Sequence, residues 1–124
     1  MSWPPPIGEP LRLANDAYGV NEKLVSYSLN LDHRDGGPKA RLFRSILGIT
    51  AADVDYLARA LHDGLASRPV RATRDNPPHG VLCEVRIEVR GRAERAGRTA
   101  TVVTVWEVWH EDDPPRLVTA YIRA

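Results

Sequence analysis

The amino-acid sequence predicts an α+β fold with about three N-terminal helices packed on one face of a four-stranded antiparallel sheet. Apolar residues recur every three to four positions until about residue 66 and alternate with polar residues after residue 70, which are the periods of helices and strands. Short turns separate the predicted strands, and strands joined in this way pair as an antiparallel meander. A chain of 124 residues is sized for one hydrophobic core.

The first two helices are predicted from their end signals. Helix one is expected over residues 22–30, because Asn21 is a good N-terminal cap. Helix two is expected over residues 39–47, since Pro38 suits a first helical position and Gly48 suits a C-terminal stop.

The third helix has the clearest pattern in the chain and is predicted to end near residue 66. Thr50 and Asp53 resemble a capping box in which Asp replaces the usual Glu. The apolar residues that follow repeat at the spacing of one helical face: Val54, Leu57, Ala58, Leu61 and Leu65.

Four strands are predicted, at residues 70–74, 81–90, 99–109 and 117–123. Strict alternation of apolar and polar residues in the second strand indicates one buried face, and Cys83 belongs to it. In the last strand the alternation places Val118, Ala120 and Ile122 together on the buried face.

Residues 1–20 are predicted to be a proline-rich leader and residues 21–124 a single domain. The prolines of the leader exclude a helix there. Its sequence has neither the basic nor the apolar part of a secretory signal, and no apolar run of the chain is long enough to span a bilayer. One cysteine excludes an internal disulfide. We therefore expect a cytoplasmic protein, or a unit cut from a larger exported chain, without membrane association.

The charge is nearly balanced, at +1 overall, whereas a protein that binds nucleic acid with its whole surface is more basic. The positive charge is concentrated in residues 33–49 and 68–98, and arginine supplies nearly all of it. This composition fits phosphate recognition by planar guanidinium groups, or simply a codon bias.

A single layer of helices leaves one side of the sheet for solvent, a partner or a ligand. Strands two and four are predicted to place there Glu84, Arg86, Glu88, Arg90, Thr119 and Tyr121. Arginines beside an aromatic ring are able to hold a phosphate chain and stack a base. Cross-strand Glu–Arg pairs on a solvated face would give the same pattern.

The third strand is ambiguous, because a bulge would reverse its faces. Either Thr104 and Trp106 or Thr101 and Glu107 face the open side of the sheet. Trp106 and Trp109 are three residues apart and point to opposite faces. One is expected in the core, and the other as a stacking platform or a contact between copies.

Residues 33–39 are the segment most suggestive of chemistry, a polar loop with two glycines that opens helix two. Free amides at the start of that helix would attract an anion. Lys39 and Arg41 lie in its first turn, where the helix dipole disfavours cations unless an anion is bound. An ordinary turn with two solvated cations is the alternative.

His33 in this loop is a candidate general acid or base, although a lone loop histidine is also a common surface residue. His79 and His110 lie in turns that could approach a site at one end of the sheet. No motif with metal-ligand spacing and no glycine-rich nucleotide loop occurs in the sequence. We therefore predict neither a metal nor another cofactor.

Residues 21–123 resemble an uncharacterised bacterial domain family with the pattern KL-x-x-YLL, HP-x-GG-x-KA-x-x-F, LG and PRLVTAY. The matching residues of the first half are Lys23, Leu24, Leu31, His33, Gly36, Gly37, Lys39, Ala40, Arg41, Phe43, Leu47 and Gly48. In the second half they are residues 98–102, Trp106 and residues 115–121. Arg34 stands where the family often has proline, so the loop is expected to be less rigid here.

Members of this family occur as small stand-alone proteins and as C-terminal tips of larger secreted or phage-head proteins, a setting that resembles toxin modules. The order of helices before four strands is similar to the barnase–EndoU–colicin–RelE group of metal-free ribonucleases. The resemblance implies that a base takes the ribose 2′-OH proton, cations stabilise the phosphorane and an acid protonates the leaving 5′-oxygen.

The leading hypothesis is a toxin-type, metal-independent ribonuclease that cleaves RNA by 2′-OH attack. In it His33 is the acid or base, and Lys39 and Arg41 are phosphate cations. The predicted substrate-binding residues are Arg86, Trp106 as a base stack, Arg116, Thr119 and Tyr121. The alternative is a non-catalytic interaction module that docks through the same open side, as an immunity or antitoxin partner or as a homodimer.

Overall fold

The computed structural model describes residues 3–123 and has an α+β fold with three helices and a four-stranded antiparallel sheet. The helices are α1 (Val20–Lys23), which continues as a π-helical turn over Leu24–Ser28, α2 (Gly37–Leu47) and α3 (Val54–Ser67). The strands are β1 (Val70–Asp75), β2 (Val81–Arg90), β3 (Thr99–Val108) and β4 (Arg116–Ile122). They pair in the order β1-β2-β3-β4, which confirms the predicted antiparallel meander.

The end signals are confirmed for two of the three helices. Gly48 follows α2 with a φ of 65°, a left-handed conformation that suits glycine. Thr50 and Asp53 form the predicted capping box, in which the Thr50 amide donates to Asp53 Oδ2 at 3.0 Å. The prediction for α1 is wrong at its start, because the helix begins at Val20 and Asn21 lies inside it.

The core contains the alternating apolar residues of β2 and the inward faces of α2 and α3. Its fully buried members from these helices are Phe43, Leu47, Leu57, Leu61 and Leu65. Each such side chain contributes about 1.5–3 kcal/mol by leaving water. The packing of α3 on β2 is close, since a Cβ at Gly64 would overlap the Ile87 side chain. Cys83 is buried, as predicted.

The two faces of β3 are settled by its register with β2. Trp106 lies opposite Cys83, and Thr104 opposite Val85, so both side chains lie on the apolar face. Trp106 has no exposed surface, and its Nε1 donates to Thr104 Oγ1 at 2.7 Å. The predicted stacking of a base on Trp106 is therefore corrected, because the ring is a core residue. Glu107 lies on the opposite face.

A register shift between Val105 and Trp106 marks a bulge in the β3–β4 pairing. Leu117 thereby lies opposite Trp106 and is fully buried, whereas Val118 stays partly exposed. The prediction that Val118 shares the buried face with Ala120 is wrong, because one additional residue reverses the alternation at that point.

The predicted leader contributes to the fold. Leu11 and Ala14 belong to the core. The Gly8 amide donates to Val70 O at 2.9 Å, and the Val70 amide donates to Glu9 O at 2.8 Å. These bonds cover the start of β1, which is an edge strand with otherwise unpaired backbone groups. No helix within residues 3–123 has the length and apolar character needed to cross a membrane.

Candidate functional site

Lys39 links the helices to the polar face of the sheet, which we define by Glu84, Arg86, Glu107, Arg116, Thr119 and Tyr121. Its Nζ donates to Thr119 Oγ1 at 3.2 Å and contacts the Tyr27 hydroxyl. The ammonium also lies 4.4 Å from the centre of the Tyr27 ring and 5.6 Å from that of Tyr121. Two rings and two hydroxyl groups therefore fix its position, through hydrogen bonds and cation–π attraction.

An ammonium has three N–H donors, and the described residues occupy two of those of Lys39. One donor is left for a ligand. The residue is half-buried, so a bound anion would be only partly screened by water, and its attraction to the ammonium would be stronger than on an open surface.

His33 also contacts Tyr27, with ring centres 4.9 Å apart in an edge-to-face arrangement. Its Nδ1 accepts hydrogen bonds from the amides of Asp35 and Gly36, both at 3.0 Å. This network places the proton of the neutral imidazole on Nε2. The ring is therefore held in one orientation and offers an N–H group to a ligand.

The glycines of the loop make this arrangement possible. A Cβ at Gly36 would overlap the carbonyl oxygen of Tyr27, and one at Gly37 would lie 2.8 Å from Leu31 O. The loop thus packs directly on the backbone of the preceding helical turn, which sets Tyr27 between His33 and Lys39.

The predicted anion site on free loop amides is not formed. The amides of Asp35 and Gly36 donate to the His33 ring, and the Gly37 amide donates to His33 O at 2.7 Å. The imidazole therefore takes the place that an anion would have occupied.

A shallow groove of about 420 Å³ crosses the polar face beside Thr119 and Tyr121. Glu84 lies at its far side, in register with Thr119 across Val105. The Glu84 carboxylate pairs with Arg86 at 3.0 Å and contacts Arg71 at 3.9 Å. Lys39 therefore lies on one side of the groove, and on the other side the Glu84 carboxylate is held between Arg71 and Arg86.

A second group of side chains, the Glu107 cluster, lies next along the polar face and consists of Asn76, His79, Glu107, Trp109 and Arg116. Glu107 is 7% exposed and accepts three hydrogen bonds, from Trp109 Nε1 at 2.7 Å, Arg116 at 3.0 Å and Asn76 at 3.0 Å. Burial alone would raise the pKa of its carboxyl. The hydrogen bonds from Trp109 and Arg116 and nearby positive charge outweigh burial, so its pKa lies below the usual range.

Of the predicted catalytic residues, the structure brings His33 and Lys39 together around Tyr27. Arg41 is separate from them. It is two residues from Lys39 on α2 and therefore points in another direction, and it lines an exposed surface with Arg44 and Arg95.

Of the predicted substrate-binding residues, Thr119 and Tyr121 contact Lys39. Arg86 lies in register with Tyr121 across Val103, and Arg116 belongs to the Glu107 cluster. Trp106 is buried on the other face.

Sequence reasoning missed Tyr27 as a residue of the site. Its contact with Lys39 depends on the turn and loop between them, and no local pattern reports it. Glu107 was one of two options for the third strand, and only the register decides between them. Within residues 3–123, no group of three or more His, Cys, Asp or Glu side chains is arranged to hold a metal ion.

The fold and the site define the class, a single-sheet α+β domain with a lysine–tyrosine cluster at the β4 edge and a cationic polar face. The chain belongs to the family described as a domain of unknown function (DUF6883), whose model matches residues 12–124. This match confirms the expected membership in an uncharacterised domain family. No curated protein and no solved structure matches the chain.

Proposed function

We propose that this protein is a toxin-type, metal-independent endoribonuclease whose helices pack on the apolar face of the sheet and leave the polar face to RNA. The main support is the contact between Lys39 and Thr119, residues 80 positions apart in the chain. This contact brings the loop of residues 33–39 next to the groove on the polar face. That convergence supplies the cation, the hydrogen-bond donor and the carboxylate that the reaction needs.

Lys39 is the cation at the scissile phosphate. Negative charge accumulates on the phosphoryl oxygens as the 2′-oxygen attacks, and a fixed ammonium stabilises that charge more than it stabilises the substrate. The Nε2–H group of His33 donates to a second phosphoryl oxygen. Because Nδ1 already accepts two amides, we assign His33 as a donor and not as the base.

Glu84 is the carboxylate available to accept the 2′-OH proton. Its Cα is two strand spacings from that of Thr119, about 10 Å, which leaves room for a nucleotide between the carboxylate and Lys39. The 2′-oxygen then attacks phosphorus, the bond to the 5′-oxygen breaks, and the ammonium of Lys39 protonates that oxygen. The products are a 2′,3′-cyclic phosphate and a 5′-hydroxyl end.

The test is cleavage of an unpaired RNA oligonucleotide by the purified protein in EDTA, with identification of both new ends. We expect Lys39→Met to lower kcat/KM about 100-fold or more, as the loss of one donor to developing charge does. Arg44→Met is the matched control, since Arg44 is an exposed cation on the same helix. Equal activity of the two variants, or no cleavage by the unaltered protein, would refute the proposal.

The alternative proposal is a non-catalytic interaction module that docks an immunity or antitoxin partner, or a second copy, on the polar face. The observation that favours it is the apolar floor of the groove, formed by Ala72, Leu82 and Val105. This function requires binding without turnover. It would be supported by RNA that stays intact while Val105→Glu abolishes a complex seen by sedimentation or pull-down.

A further inference from the structure

We propose that Trp109 is the stacking platform for one unpaired nucleobase, held in place by the Glu107 cluster and adjacent to the Lys39 site. The inference deepens the proposed function and rests on it for the identity of the ligand as RNA. It assigns a binding subsite to the Glu107 cluster, which lies outside the apolar core.

Trp109 is exposed and yet fixed in orientation. The residue is 45% exposed, and its Nε1 donates to Glu107 Oε1 at 2.7 Å. The imidazole of His79 stacks on the indole, with ring centres 4.6 Å apart and planes 28° from parallel. An accessible ring whose orientation is set before binding is what stacking on a base requires.

Glu107 is a buried carboxylate that lies outside the apolar core. Burying a charge costs several kcal/mol, and an apolar side chain of similar size often gives equal or greater stability. The chain nevertheless has a carboxylate at position 107, and its three hydrogen bonds join a turn, the end of β3 and the start of β4. Its effect is to fix Trp109, Asn76 and Arg116 relative to one another on the polar face.

The position of Trp109 suits a strand that already passes Lys39. Val105 lies opposite Thr119, the partner of Lys39, and Trp109 is four residues further along the same chain on the side of Glu107. At about 3.3 Å per residue the separation is about 13 Å, which an extended strand covers in about two nucleotides. Arg116 lies between the two positions and is placed to contact the intervening phosphate.

Charge identifies the occupant as a polyanion. The cations of the polar face are Lys39, Arg71, Arg74, Arg86 and Arg116. The carboxylates of this face are Glu84, Glu88 and Glu107, so positive charge is in excess and favours a phosphate chain. Because a base must leave its stack to lie on the indole, the ligand is a single strand and not a duplex.

The experiment measures binding of a 2′-O-methyl RNA hexanucleotide, which cannot be cleaved by 2′-OH attack, to the full-length protein. We expect quenching of tryptophan fluorescence and an about 5- to 150-fold weaker Kd for Trp109→Ala, the range of about 1–3 kcal/mol per stacked base. Trp109→Phe keeps a ring and should retain most of the affinity. Trp3→Ala is the matched control, because Trp3 is a similarly exposed tryptophan on the leader and should bind normally.

The outcomes separate this proposal from the ribonuclease activity. Active enzyme with an unchanged Kd for Trp109→Ala overturns the platform and leaves the proposed function standing. Tryptophan-dependent binding without cleavage of ordinary RNA supports the platform and overturns the ribonuclease. Equal affinity for the same sequence in a duplex overturns the requirement for an unpaired base. Absence of binding to the unaltered protein, or preference for an aromatic peptide, also overturns the proposal.

Discussion

Replacing Glu107 by glutamine tests whether the carboxylate is bound as strongly as its surroundings indicate. Gln keeps the shape of the side chain and removes its charge. Hydrogen bonds to a charged group contribute about 1.5–3 kcal/mol, against about 0.5–1.5 kcal/mol for neutral pairs. In the variant the bonds from Trp109 and Arg116 to the remaining amide oxygen weaken, and the bond that Asn76 donates to Oε2 is lost, because an NH2 group replaces that oxygen. The relief from burying a charge offsets part of the loss. We expect a net destabilisation of about 1–2 kcal/mol at pH 7.

The pH dependence of this difference has a definite sign. The pKa of Glu107 is lower in the folded protein than its ordinary value of 4.5, so the unfolded chain binds the proton more readily. The stabilisation is therefore fully present above the unfolded pKa and is lost as pH falls through the folded pKa. The variant lacks the titrating group, so the two proteins should approach equal stability in acid.

The assay is urea unfolding at a series of pH values from 7 to 3, followed by circular dichroism, with the free energy of unfolding extrapolated to water. Glu94→Gln is the control, because Glu94 is exposed in the short turn at Ala93–Arg95 and should leave the stability within about 0.5 kcal/mol. A Glu107→Gln variant as stable as the unaltered protein at pH 7, or a gap that widens in acid, would refute the reasoning.

Two further predictions concern packing. Gly36→Ala should destabilise the fold by about 2 kcal/mol or more, because its Cβ would overlap Tyr27 O. Gly97→Ala should be neutral or slightly stabilising, since a Cβ there meets nothing within 4 Å. Urea unfolding measures the stability of both variants, and equal stabilities would contradict the prediction. Burial raises the pKa of the Cys83 thiol to about 11. At pH 8 the thiol should therefore be unreactive towards Ellman's reagent until urea unfolds the chain. Rapid labelling of the folded protein would contradict the buried position of Cys83.

The parts of the fold that were predictable are those encoded by local periodicity. The alternation in β2 defines its ends and its buried face, and the capping box marks the 3-10 turn Ala51–Asp53 that leads into the third helix. The faces of β3 were not predictable, because valine, threonine and tryptophan occur on both of them. Its register with β2, a relation between distant residues, decides the question and moves Trp106 into the core.

The candidate site was predictable in its components and not in its arrangement. His33 and Lys39 are conspicuous in a loop with two glycines, and Thr119 and Tyr121 follow from the alternation of the last strand. Tyr27, which joins these groups, is placed by a π-helical turn that ends at Ser28 and by the packing of Gly36 on its carbonyl group. Such contacts depend on tertiary structure, so no local sequence pattern predicts them.

The bulge between β3 and β4 brings the Lys39 site and the Glu107 cluster onto the same face of the sheet. Arg116 and Thr119 are three residues apart, and in a regular strand they would point to opposite faces. The register shift adds one residue between them, so that Arg116 lies opposite Glu107 and Thr119 opposite Val105, both on the polar face. Bulges that re-aim side chains occur preferentially beside functional sites. Without this one, a strand that kept Ala120 in the core and Thr119 on the polar face would move Leu117 out of the core and Arg116 away from Glu107.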